Sequence, residues 1–175
     1  LDKCGNPGKF GKECHPRVMR EEINASNVIQ ILEKYKTSKN IDLLSIDIDS
    51  MDWYVLKAML KHDYKPNVIM LEFNPMFKYD ESYVVQYSED FTRNGSIYGA
   101  SLLAFTKMLK SFDYTLVNVC YDLENKYYDN NAIFLNNNLI EPHMEIKNIT
   151  ELHPESWIEP WKSNKGDIKK YFNKI

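Results

Sequence analysis

The sequence predicts an α/β domain with a mostly parallel sheet, and three observations carry that expectation. Ile41-Asp-Leu-Leu-Ser-Ile-Asp-Ile-Asp-Ser50 is an apolar run that reads as a buried strand ending in Asp47 and Asp49. Met51-Asp-Trp-Tyr-Val-Leu-Lys-Ala-Met-Leu60 follows at once, with Trp53, Leu56 and Leu60 at helical spacing. Asn67-Val-Ile-Met-Leu-Glu-Phe-Asn74 then repeats the strand plan and ends in Glu72 and Asn74. Strand, helix, strand is a βαβ unit, so the two strands run parallel and deliver their polar ends to the same edge. In open α/β sheets that edge binds ligands.

The remaining elements follow in order. Residues 1–23 form an arm rich in Gly, Lys and Cys without periodicity. Asn24 or Ser26 can cap a helix that runs through Lys36, because Val28, Ile31 and Leu32 make an apolar stripe. Thr37–Asn40 is the turn into the first strand, expected over 42–49, with the second over 67–73. Pro75–Tyr98 reads as a long loop rich in aromatics and acids. Over 99–112, Leu102, Phe105, Met108 and Leu109 share one face of an amphipathic helix. Tyr114–Cys120 and Asn131–Leu135 are strands joined by the polar stretch 121–130, close enough in sequence for an antiparallel hairpin. The α/β domain is thus placed at 24–140. The tail, 141–175, is irregular until Asp167–Ile175, where Ile168, Tyr171, Phe172 and Ile175 predict a short closing helix.

Composition bounds the function. With 175 residues and 43% hydrophobic content, the chain is one globular domain able to bury a real core. No apolar run approaches the length of a membrane span. A net charge of −3 argues against nucleic acid as the main partner. Cys4, Cys14 and Cys120 cannot all pair with one another, which fits a reducing compartment such as the cytoplasm. The first residues, Leu1-Asp-Lys-Cys-Gly, are polar and lack an initiator Met, so the chain is expected to begin inside a longer product.

Several segments together resemble the C-terminal half of FkbM-type methyltransferases. They are Asp42-Leu-Leu-Ser-Ile-Asp-Ile-Asp49, Trp53-Tyr54, Val68-Ile-Met-Leu-Glu-Phe-Asn74, Tyr98-Gly-Ala-Ser-Leu102, Tyr114-Thr-Leu-Val117 and Asn131-Ala-Ile-Phe-Leu135. The resemblance implies a three-layer Rossmann-like methyltransferase sheet that uses S-adenosylmethionine, with this chain supplying strands four to seven, the last antiparallel. The family pattern Asp-Ile-Asp-Gly-Asn-Asp stands here as Asp47-Ile-Asp49-Ser50-Met51-Asp52. Ser for Gly adds a side chain where the backbone leaves the strand, and Met for Asn removes a polar contact. The Gly-rich turn and acid that hold the cofactor in the family have no counterpart after an apolar strand here. Either a companion chain completing the sheet or the N-terminal arm folding over that edge is therefore expected, and the chain alone is expected to bind the cofactor weakly or not at all.

On this resemblance Asp47, Asp49 and Glu72 are the candidate catalytic residues. A strand-end carboxylate can take the proton of an acceptor hydroxyl, or hold a divalent cation that lowers its pKa. Asp49, Glu72 and Asn74, with Asp47, offer hard oxygen ligands suited to Mg²⁺. Equally, Asp49 can cap the following helix and Asp47 bond a neighbouring backbone group. In the long loop, Tyr79, Tyr83, Tyr87 and Tyr98, beside Phe77 and Phe91, either form a stacking platform for a ring-shaped acceptor or pack the loop onto the domain.

The leading expectation is O-methylation of a small molecule, sugar or glycan. One alternative takes Asp47-Ile-Asp49 as the D-x-D motif of a nucleotide-sugar glycosyltransferase, and another is a non-catalytic half-domain that binds a partner. Cys4, Cys14 and His15 offer three zinc ligands at an unrecognised spacing. His62, His143, His153 and Cys120 suggest no triad, Gly5–Gly11 reads as flexible, and Trp157 and Trp161 read as anchors for the tail.

Overall fold

The computed structural model describes residues 19–122, 127–152 and 168–175. Asn24 opens the first of these elements, its side chain accepting the N–H groups of Ser26 and Asn27, and helix α1 runs over Val28–Lys34. Strand β1, Leu43–Ile46, leads into helix α2, Asp52–Lys61, and strand β2, Val68–Glu72. A short strand β3, Tyr83–Val85, lies in the segment expected to be loop. Helix α3, Leu102–Lys110, starts where the Ser101 hydroxyl accepts the Ala104 N–H at 3.2 Å. Strands β4, Tyr114–Asp122, and β5, Tyr127–Asn136, follow, then the single-turn helix α4, Ile149–Leu152, and strand β6, Phe172–Lys174.

The main sheet is mixed, with strand order β1-β2-β5-β4. β1 and β2 pair in parallel, and β5 is antiparallel to both of its neighbours. The βαβ unit and the hairpin are therefore present as expected. The hairpin arms run further than the sequence suggested, across part of the polar stretch 121–130, with bulges between Leu116 and Asn118 and between Val119 and Tyr121.

One face of this sheet carries the core. Ile69, Leu71, Ala132 and Phe134 are fully buried in a cluster with Leu56, Met59 and Leu60 of α2 and Leu102, Phe105 and Leu109 of α3. The helices bury the positions that their 3.6-residue spacing selects. The Trp53 indole N–H donates to the Ala104 carbonyl at 3.3 Å and ties α2 to α3. Along β2 the alternate residues Val68, Met70 and Glu72 are only half-buried.

Two expectations are corrected. The first strand stops at Ile46, so Asp47 and Asp49 sit in a turn over residues 47–51 and not on a pleated strand. The closing helix is absent from the described tail: Ile168–Tyr171 is a 3₁₀ turn and Phe172–Lys174 pairs antiparallel with β3. Phe172 is buried while Tyr171 and Ile175 are 43% and 45% exposed, so no common apolar face exists there to favour a helix. Phe172 joins Met51, Met76, Phe77 and Val85 in a second, smaller cluster beside the C-terminal ends of β1 and β2. The zinc reading of Cys4, Cys14 and His15, the Gly5–Gly11 segment, His153, Trp157 and Trp161 all lie outside the described residues.

Candidate functional site

The turn after β1 is shaped by a residue that the sequence reading passed over. Asp52 is buried, and its carboxylate accepts the N–H of Ile48 at 2.9 Å and of Ser50 at 3.0 Å. Those two bonds pull residues 47–51 off the sheet and hold Asp49 in the left-handed region, at φ 56°. The left-handed residue is Asp49 and not Ser50, where the resembling family carries Gly, so Ser is accommodated without strain. Burial raises the Asp52 pKa, and the two amide bonds oppose that rise.

This turn brings Asp47 and Asp49 to Glu72, the last residue of β2. One carboxylate oxygen from each of the three lies within 4.8 Å of the other two. That spacing fits the oxygen pairs around an ion such as Mg²⁺ or Ca²⁺, whose bonds run to roughly 2.0–2.6 Å. Burial is the main force on Glu72, and the negative charges of Asp47 and Asp52 add to it, so its carboxyl is pushed up to about 7. The Tyr98 hydroxyl points at Glu72 from 3.4 Å, and burial with the Glu72 charge pushes that phenol well above its usual range.

Asn74 has a different setting. It is fully buried, its amide donates to the carbonyls of Ser96 and Tyr98 at 2.8 and 3.0 Å, and its oxygen accepts the Met76 N–H at 3.0 Å. These bonds fix the long loop to the end of β2. On the same edge the Asn130 Oδ1 atom is buried with no hydrogen-bond partner among the described residues, and the Asn130 carbonyl accepts the Phe73 N–H at 2.8 Å.

Arg93 is the second residue missed from the sequence. Its guanidinium pairs with Asp49, lies 4.2 Å from the Tyr98 ring centre and donates through Nε to the Gly95 carbonyl. One signal was available: only 3 of the 22 basic residues are Arg, the side chain suited to forked pairing with a carboxylate. Beside Asp49 and Arg93 lies a half-open cleft of about 390 Å³. Its walls come from the turn at Ile48–Met51, the loop around Glu89 and Phe91, and Glu21–Asn24 ahead of α1.

The other candidates are dispersed. Among the four loop tyrosines only Tyr98 reaches the acids. Tyr83 stacks on Phe77 at 5.0 Å in the second cluster, Tyr87 meets Tyr54 edge-on at 5.0 Å, and Tyr79 is half-buried. His62 is exposed, with Nδ1 2.9 Å from the Ala58 carbonyl, and His143 is 3.3 Å from Glu141. Cys120 is half-buried in β4.

No family model matches the sequence, and no curated protein or solved structure matches it either. No helix among the described residues is long and apolar enough to cross a membrane.

Proposed function

We propose that this chain is an FkbM-type methyltransferase-like domain that transfers methyl from S-adenosylmethionine to an oxygen of a small molecule, sugar or glycan. The carrying observation is the parallel β1-α2-β2 unit, which delivers Asp47, Asp49 and Glu72 to one sheet edge beside the inserted antiparallel β5. That edge is where open α/β sheets take ligands.

In the proposed reaction the O–CH₃ bond forms as the S–CH₃ bond breaks in line, and the acceptor hydroxyl proton passes to a carboxylate. Glu72 suits that role, because a carboxyl held at about 7 is matched to proton transfer near neutral pH. Alternatively, Asp47, Asp49 and Glu72 fit Mg²⁺ in donor type and spacing; with such an ion bound, Glu72 would serve as a ligand and the ion would lower the hydroxyl pKa. Arg93 already neutralises Asp49, so a full cation site there requires the guanidinium to move.

The D-x-D glycosyltransferase alternative is weaker on one point. The Ile48 and Ser50 amides, which a sugar-nucleotide diphosphate would seek at this turn, are taken by Asp52. Saturation-transfer NMR on the whole 175-residue chain separates the readings even when binding is weak. Transfer to the protons of S-adenosylmethionine, lost in Asp47→Ala, is the expected result. Transfer only to a UDP-sugar with Mn²⁺ would overturn the methyl-transfer reading.

A further inference from the structure

We propose that residues 87–93 form a lid over the cleft beside Asp49, latched by the ion pair of Arg93 on Asp49. The lid's two ends are fixed. The Val85 N–H donates to the Gly99 carbonyl at 2.9 Å, Ser101 N–H to Tyr83 at 2.8 Å, and Gln86 N–H to Tyr171 at 2.9 Å. Asn74 holds Ser96 and Tyr98 through their carbonyls. Between these anchors little holds the backbone: among the described residues, residues 87–93 form only a turn at 89–90 and no further backbone–backbone hydrogen bond. A segment with so little hydrogen bonding belongs to the low end of local stability.

Three side chains keep the segment down. Tyr87 rests edge-on against Tyr54 but is 42% exposed, and Phe91 is partly buried against the second apolar cluster. Among the described residues Arg93 is the only cation on the cleft wall, and of the three side chains it alone touches the acids. Gly95 and Gly99, both at φ 57°, lie just beyond it, where the chain reverses in a conformation that other residues resist. Releasing Arg93 frees the Asp49 carboxylate and opens the cleft in one movement. The latch would operate whatever chemistry the acids perform.

Hydrogen–deuterium exchange of the whole chain, read by mass spectrometry, tests the latch. Arg93→Gln and Asp49→Asn should each speed exchange over 87–93 by about three- to tenfold, the range expected for an exposed ion pair with a cation–π contact. β2 and α3 should be unchanged, and the double variant should exchange no faster than the faster single one. The unaltered chain offers a second measurement. Raising salt from about 0.05 to 1 M should speed exchange over 87–93 and leave Arg93→Gln unaffected, because salt screens exposed charges. No local acceleration in either experiment, additive effects in the double variant, or equal acceleration in β2 and α3 would overturn the proposal.

Discussion

β1 and β2 each run from apolar residues into two polar ones spaced one apart, Asp47 and Asp49 after the first, Glu72 and Asn74 after the second. The chain uses the repeated pattern in two ways. After β1 the backbone leaves the sheet at once, and Asp49 ends up half-exposed in the left-handed region with a half-exposed arginine for partner. After β2 the backbone stays inside, so Asn74 is sealed among three backbone groups and Glu72 is half-buried against other acids. The first end is free to exchange partners. The second is not, because each of its polar groups is either satisfied or electrostatically confined.

The largest expected effect therefore comes from the second end. Asn74→Ala removes three hydrogen bonds, two buried and one part-buried, and should cost about 3–4 kcal/mol in urea unfolding. A cost below about 1 kcal/mol would show that the loop is held by something else. Asp52→Ala should follow at about 2 kcal/mol, since two amides lose their shared acceptor at the start of α2. Asp52→Asn should cost less, because it keeps one oxygen.

Glu72 supplies a test that reads pH. Its folded carboxyl sits at about 7 and its ordinary value is 4.5, so between these values the folded state keeps a proton that the unfolded chain has released. Stability should accordingly fall as pH rises through that window, with the full cost present above about pH 7. Glu72→Gln should flatten this slope and gain about 1–2 kcal/mol at pH 8, less than the whole shift converts to, because the carboxylate still touches water. An unchanged slope in the variant would mean that neither burial nor the charges of Asp47 and Asp52 hold the Glu72 carboxyl above its ordinary value.

The parts legible in the sequence are those set by local pattern. Leu56 and Leu60, or Phe105 and Leu109, declare their helices by spacing, and the β1-α2-β2 unit follows from element order. The convergence of Asp47, Asp49 and Glu72 was also expected, but for an incomplete reason. The strand expected over 42–49 would carry both aspartates at its end, whereas the strand stops at Ile46 and the Asp52 bonds to Ile48 and Ser50 create the turn that carries them. The closing strand was illegible because its reason is distant: Phe172 is buried against Met51, Met76, Phe77 and Val85, and Phe77, 95 positions earlier, meets it at 4.9 Å between ring centres. Arg93 hid in a stretch without periodicity, 44 positions from Asp49. Contacts of that range leave no local trace.

The smallest expected effect is at Asp49, and it sharpens the contrast with Asn74 most. Both partners in the Arg93–Asp49 pair are largely exposed, at 41% and 49%, so the attraction is screened and contributes at most about 1 kcal/mol. Asn tolerates the left-handed backbone as well as Asp does, so Asp49→Asn removes the charge without adding strain. Urea unfolding should then register about 0.5 kcal/mol at low salt and nothing measurable near 1 M salt. Asp49→Ala should cost about 1 kcal/mol more than Asp49→Asn at every salt concentration, because its methyl group meets the positive φ without a local hydrogen bond to compensate. If Asp49→Asn proved as costly as Asn74→Ala, the two strand ends would be equally rigid and their division into an exchangeable and a sealed site would fail.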